Sequence, residues 1–344
     1  MTARDLPTVI AHRGASGVRP ENTIAAFEHA IGLGAEWLEI DLVSSIDGHL
    51  VIRHENELSV TTDVAARCEF ADRRTSKTVD GAAMTGWFSE DFTLDELRTI
   101  GAVEPLPQLR PRSAEHDGAH GIPSIDDVLT HVGRINAQRD VPVGLYLELK
   151  HPSHFADRGL DLTEPLLAAL RRHDLLDAEA QVVIEASEVA VLRDLSTRTA
   201  TPLTQLIDVD GGPFDPGGSP DAPTYAHLST RGGMAETAAY ASFVGVNKRR
   251  VLPRDARDRI DVSTPLVEYA HAAGLGVHVW TMRDENAYLP RGLRRGSSDR
   301  GKGNAAAEYQ AFFDAGVDGV FTDYVDTALA ARTAWAEGPP TPKG

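Results

Sequence analysis

Residues 37–55 read Trp37-Leu38-Glu39-Ile40-Asp41-Leu42-Val43-Ser44-Ser45-Ile46-Asp47-Gly48-His49-Leu50-Val51-Ile52-Arg53-His54-Glu55, and the rest of the chain is best read outward from them. The first part alternates. Successive side chains of an extended strand point to opposite faces, so Leu38, Ile40 and Leu42 share one face while Glu39 and Asp41 share the other. A second apolar run, 50–54, returns after only the segment 43–49, which contains the turn pair Asp47-Gly48. A parallel crossover takes a dozen or more residues, so the two runs form an antiparallel hairpin.

Further short apolar runs fall at 8–11, 143–149, 181–184, 203–207, 243–246, 277–280 and 319–322, making nine candidate strands with the hairpin pair. Stretches of helix-forming sequence separate them, which is the signature of βα units around a parallel sheet. Setting aside the return arm of the hairpin leaves eight parallel strands, the number that closes a (β/α)8 TIM barrel. The chain's 344 residues and 42% hydrophobic content suit one elaborated barrel over 1–336. Segment 59–121 is polar and poorly periodic, and it reads as an inserted loop-rich subdomain or lid near the barrel mouth. Segment 289–304 carries Arg291, Arg294, Arg295, Arg300 and Lys302 among glycines and serines and reads as a flexible solvated loop. The tail 337–344, with three prolines, reads as disordered.

In such barrels the reactive groups stand at the carboxyl ends of the strands. The first strand runs into His12-Arg13-Gly14, and an amphipathic helix follows that is capped by Asn22 or Thr23. Glu39 and Asp41 place two like charges on one face of an apolar strand. That is costly in a barrel interior without a cation, or without an Arg or Lys from a neighbouring strand. The strand ending at Glu148-Leu149-Lys150 repeats the pattern, so Glu39, Asp41 and Glu148 form a candidate carboxylate trio with Lys150 beside it. Without a thiolate or a histidine ligand set, this favours one divalent cation, Ca²⁺ or Mg²⁺; a plain salt-bridge cluster is the alternative. Antiparallel pairing brings His54 opposite Ile40 and Asp41. Two imidazoles, His12 and His54, then flank the cation as an acid/base pair suited to phosphodiester cleavage, with Arg13 and Lys150 on the nonbridging oxygens.

The formal charge of −17 argues against nucleic acid and against adhesion to an anionic membrane. A single cysteine, Cys68, leaves neither a disulfide framework nor a multi-thiolate zinc site. No apolar run reaches a membrane-spanning length and no leader pattern opens the chain. The expectation is a cytoplasmic protein without stable membrane association, or a secreted or periplasmic one if a signal has been removed; nothing in the sequence assigns an oligomeric state.

His12-Arg13-Gly14, Pro20-Glu21-Asn22-Thr23, Glu39-Ile40-Asp41, Asp47-Gly48 and His54, in this order, resemble the glycerophosphodiester phosphodiesterase family. The likeness continues through Glu148-Leu149-Lys150, His278-Val279-Trp280-Thr281 and the run 316–323, and the long insertion after His54 resembles the larger bacterial members. The resemblance implies a hydrolase that converts glycerophosphodiesters to sn-glycerol 3-phosphate and an alcohol, through a cyclic phosphate formed by attack of the glycerol 2-hydroxyl. It implies His12 and His54 as the acid/base pair, Glu39, Asp41 and Glu148 as metal ligands, and Arg13 and Lys150 as phosphate contacts. Trp280 is expected to line the mouth against the glycerol or head group, or else to serve as a core residue. This chain departs from the family pattern at Glu55, at Ser45-Ile46 and at Glu185, which brings an extra carboxylate toward the site. A phospholipase C- or D-like barrel acting on lipids and a noncatalytic barrel that binds phosphate esters are the alternative readings.

Overall fold

The computed structural model describes residues 6–177, 180–214, 216–217 and 222–338. Its strands in chain order are β1 (Thr8–Ala11), β2 (Trp37–Ser44), β3 (Leu50–Ile52), β4 (Thr75–Val79), β5 (Ala82–Gly86), β6 (Gly144–Leu149), β7 (Val182–Ala186), β8 (Leu203–Ile207), β9 (Phe243–Asn247), β10 (Gly276–Met282) and β11 (Gly319–Thr322). Eight of them, β1, β2, β6, β7, β8, β9, β10 and β11, pair in parallel, and the β1–β2 pairing closes the ring. β3 turns back on the rim end of β2, with Leu42 opposite Ile52 and Ser44 opposite Leu50.

The ring is packed on both sides. Inward-pointing Ile10, Tyr146, Val183 and Phe321 fill the barrel beneath the mouth. Among them His278 stacks on Phe243, with ring centroids 4.8 Å apart, and shares a 2.7 Å hydrogen bond between Nδ1 and the Tyr146 hydroxyl. Outward-pointing residues such as Leu38, Ile40, Leu145 and Leu147 join the larger core under the helices. The helix Ile125–Asn136 shows how local sequence sets this packing. Ser124 and Asp127 form a reciprocal cap, and Ile125, Val128, Leu129 and Val132 recur at helical spacing to make its buried face.

The nine expected strands are present, with most of their ends moved by one or two residues. The hairpin's return arm ends at Ile52 instead of His54, because Arg53 turns inward and its guanidinium donates to Thr61 O (3.1 Å) and Glu21 O (2.5 Å). Segment 59–121 carries more order than a loop-rich reading suggests. β4 and β5 form a hairpin whose tip residues, Asp80 (φ 46°) and Gly81 (φ 81°), are both left-handed, as a two-residue connection of this hand requires. Phe70, Trp87 and Phe92 tie the segment into the barrel's own core, at about 1.5–3 kcal/mol for each large apolar side chain buried. The basic stretch near residue 291 is likewise tied down, because the Asn286 amide donates to Arg295 O (2.8 Å) and Ser298 O (2.9 Å) and Leu289 is buried. The last helix, Val325–Glu337, takes in the first residue of the stretch expected to be disordered, and 339–344 lie outside the described residues.

Candidate active site

The β1 exit forms the first wall. Gly14 has φ 83°, and a Cβ there would stand 2.7 Å from the Ala26 carbonyl carbon, so only glycine permits the turn that swings His12 and Arg13 over the mouth. Thr23 supplies the cap of the helix Ile24–Gly32 by accepting from Ala26 N, which leaves Asn22 in a left-handed conformation (φ 58°) with its amide donating to Asp41 Oδ2 at 2.7 Å. His12 Nδ1 lies 2.7 Å from Asp323 Oδ1. Burial opposes ionisation of Asp323, yet Arg110 and Arg283 beside it hold its carboxyl well below the usual carboxylate range. Burial, reinforced by Arg13, lowers His12 to about 4 against the pull of Asp323. The neutral ring therefore gives its Nδ1 proton to Asp323 and keeps a lone pair on Nε2.

The second wall follows β3. His54 Nδ1 stands 2.8 Å from Glu55 Oε1, and Lys150 Nζ is 3.0 Å from His54 Nε2. Lys150 also donates to Glu148 Oε1 at 2.8 Å. Burial works against its charge, but Glu148 and Asp41 raise its pKa above the ordinary lysine value. The other oxygen of Glu55 meets His151 Nε2 at 3.2 Å, and His151 Nδ1 meets Asp80 Oδ2 at 2.6 Å. Burial lowers His151, but hydrogen bonds to Asp80 and Glu55 outweigh it and raise the ring to about 9, so it is an imidazolium bridging two carboxylates.

The floor is acidic. Glu39, Glu148 and Glu185 each bring an oxygen within 4.8 Å of the others. This trio differs by one member from the expected set. Register places Asp41 beside Glu148 and Glu148 beside Glu185 on adjacent strands, and Asp41 Oδ2 accepts from the Asn22 amide at 2.7 Å with Arg13 Nε 3.2 Å away. Burial, then neighbouring carboxylates, raise Glu39 and Glu185 above the ordinary range, whereas Arg13, His54 and Lys150 overcome burial and hold Asp41 below it. Glu39 Oε1, Asp41 Oδ1 and Glu185 Oε2 are buried without a hydrogen-bond partner. Buried, mutually repelling carboxylates with oxygens left without a hydrogen-bond donor fit a hard divalent cation, which would relieve both penalties.

These walls enclose a cavity of about 550 Å³ at the mouth. Arg13 lines it, although Glu21 takes its guanidinium at 3.0 and 3.1 Å and its backbone N–H donates to Glu39 Oε2 at 2.7 Å. Trp280 lines it too, half-buried, with the indole N–H bonded to Gly245 O at 2.9 Å. The site thus gathers His12, Arg13, Glu39, His54, Glu148, Lys150 and Trp280 around one space and adds Glu185. Sequence reading gave no role to Asp323, Glu55, His151, Asp80 or Arg110. Asp323 was within reach, since it follows a strand end as His12 does; no local pattern marks Arg110.

The sequence profile of the glycerophosphoryl diester phosphodiesterase family matches residues 12–327. Glycerophosphodiester phosphodiesterase GDPD6 of Arabidopsis thaliana is 31% identical over 333 residues, which cover 92% of this chain and 84% of that protein. The glycerophosphodiester phosphodiesterase of Haemophilus influenzae is 28% identical over 349 residues, covering 93% and 88%. Among solved structures, an Oleispira antarctica phosphodiesterase in complex with the product sn-glycerol-3-phosphate superposes with a TM-score of 0.63 at 19% identity, over 96% of this chain and 98% of that one; this likeness shows the fold. A profile match over nearly the whole chain, together with a relative of this identity and coverage, makes the protein a member of the glycerophosphoryl diester phosphodiesterase family.

Proposed function

We propose that the site hydrolyses glycerophosphodiesters to sn-glycerol 3-phosphate and an alcohol by acid/base catalysis from His12 and His54. One observation carries this reading: two histidines, each held through Nδ1 by a carboxylate, flank a cavity floored by clustered acidic oxygens. Glu39, Glu148 and Glu185 would hold a divalent cation, Ca²⁺ or Mg²⁺, with Asp41 adjoining. When bound, it would lower the pKa of the attacking hydroxyl and neutralise charge developing on phosphorus.

The protein's own groups supply the remainder. One imidazole Nε2 takes the proton from the glycerol 2-hydroxyl as that oxygen bonds to phosphorus; the other imidazole protonates the departing alkoxide, leaving a cyclic phosphate and the free alcohol. In the second half water attacks, the two rings exchange roles, and the P–O bond to the 2-oxygen breaks. Lys150 and Arg13 face the nonbridging oxygens with fixed positive charge, a form of stabilisation strongest where water is excluded.

Hydrolysis followed by coupled detection of glycerol 3-phosphate tests the reading. Release from glycerophosphocholine that stops with chelator is expected, and His12→Ala and His54→Ala should each lower turnover by about 10²–10⁴-fold while the fold persists. Near-normal turnover in either variant removes that ring from the mechanism; activity on lipid vesicles alone would favour the phospholipase-like reading.

A further inference from the structure

Segment 59–121 reaches the mouth of the barrel at two separate points, and each contact ends on a carboxylate that holds a histidine. The first contact is Arg110, which is buried. Its guanidinium donates from Nε to Glu285 Oε1 at 2.7 Å, from one terminal nitrogen to Ser16 O at 3.1 Å, and from the other to Asp323 Oδ2 at 2.5 Å. The opposite oxygen of Asp323 faces His12 Nδ1. Three acceptors around one planar fork fix where Asp323 stands, a task a lysine ammonium performs poorly.

The second contact is the tip of the β4–β5 hairpin. Asp80 there meets His151, His151 meets Glu55, and Glu55 meets His54 Nδ1, at 2.6, 3.2 and 2.8 Å. His151 itself has a left-handed backbone (φ 52°), a conformation uncommon outside glycine that persists where surrounding contacts over-determine it. Both chains of contacts end on Nδ1, so in both rings Nε2 is the nitrogen turned from the carboxylate, with Lys150 Nζ 3.0 Å from that of His54. Buried ion pairs are weak evidence for stability in themselves. Two unrelated chains that start in one inserted segment and end on the same atom of two histidines point to orientation as their role.

We infer that the inserted segment positions the acid/base pair: Arg110 acts through Asp323 on His12, and Asp80 acts through His151 and Glu55 on His54. Docking of segment 59–121 and assembly of two correctly oriented imidazoles are then one event. The inference rests on the reading of His12 and His54 as the reactive pair.

Asp80→Asn and Arg110→Lys test it, with three readouts on the full-length protein: kcat and KM separately, Ca²⁺ affinity by calorimetry, and the tautomer of each histidine by ¹⁵N NMR of the ring nitrogens. Each variant should lose about 10–100-fold in kcat with KM within about 3-fold and Ca²⁺ affinity unchanged. The tautomer shift should be selective, with Asp80→Asn moving His54 and Arg110→Lys moving His12. Folded variants whose ring resonances and kcat match the parent protein overturn the inference. Should Arg110→Lys fail to fold, Asp80→Asn, at a partly exposed hairpin tip, decides the matter. Failure of the underlying reading looks different: His12→Ala or His54→Ala would remain active, while the tautomer measurement would still report whether the segment orients the rings.

Discussion

His12 Nδ1 lies 2.7 Å from Oδ1 of Asp323, a residue 311 positions further along the chain. Closure of the barrel brings them together: β1 pairs with β11 so that Ala11 faces Thr322, and the next residue of each strand leaves the rim beside the other. An aspartate in this place fixes the tautomer, because an ionised carboxylate only accepts. Asp323→Asn should therefore lower kcat by about 10²–10⁴-fold with KM nearly unchanged, since an amide can present N–H to Nδ1 and drive the proton onto Nε2. Steady-state kinetics on any accepted glycerophosphodiester check this; a drop confined to KM would place Asp323 in substrate binding instead.

Glu185 joins Glu39 and Glu148 in the acidic cluster, and its Oε2 is buried without a hydrogen-bond partner. Glu185→Gln keeps the volume and removes one negative charge from the trio. Calorimetric titration with Ca²⁺ should then show affinity weakened by about tenfold or more, comparable to losing about 1.4 kcal/mol of binding free energy. In the cation-free protein the same change should raise thermal stability, because it relieves repulsion among buried carboxylates. Unaltered Ca²⁺ affinity would return the cluster to Glu39, Glu148 and Asp41.

Much of this architecture was legible in the strand pattern, and the reasons are physical. Alternation in 37–42 could only mean a strand with one charged face, and the short link 43–49 could only be a hairpin, so the eight-stranded ring followed from connection length. His12, Glu39, His54, Glu148 and Lys150 were legible because strand ends of a barrel converge in space regardless of their distance in sequence. What escaped depended on side-chain competition and long-range docking. Asp41 and Glu39 share a face by periodicity, but periodicity says nothing of Arg13 and Asn22 reaching Asp41 first. The β4–β5 hairpin was signalled by Asp80-Gly81 but masked by flanking residues that are mostly small or polar and largely exposed. Arg110 meets partners 175 and 213 positions away, contacts no local pattern encodes.

His278, below the site in the barrel interior, is lowered to about 4 by burial, with only Asp318 pulling the other way. Its unfolded value is near 6.5, so the unfolded chain binds more protons between the two values. The stability linked to this ring is complete above pH 6.5 and is lost as pH falls toward 4. Its size is on the order of 3 kcal/mol. Urea unfolding at pH 7 and pH 4.5 should show His278→Gln losing less stability over that interval than the parent protein; equal losses would mean the ring takes up no proton on unfolding.

Phe92 ties segment 59–121 to the barrel. It is fully buried, its ring meets Phe70 edge-on with centroids 5.1 Å apart, and the Arg73 guanidinium lies 4.9 Å from its centroid. Its backbone also locks the β2–β3 turn, because Ile46 N–H donates to Phe92 O at 2.9 Å. Phe92→Ala should cost about 3–5 kcal/mol through lost burial and the cavity left behind. Native-state hydrogen exchange distinguishes how the cost is distributed. If segment 59–121 opens as a unit, its amides should lose protection in the variant before those of β6 and β7 do. Uniform loss across the barrel would instead mean that segment and ring unfold in a single cooperative step.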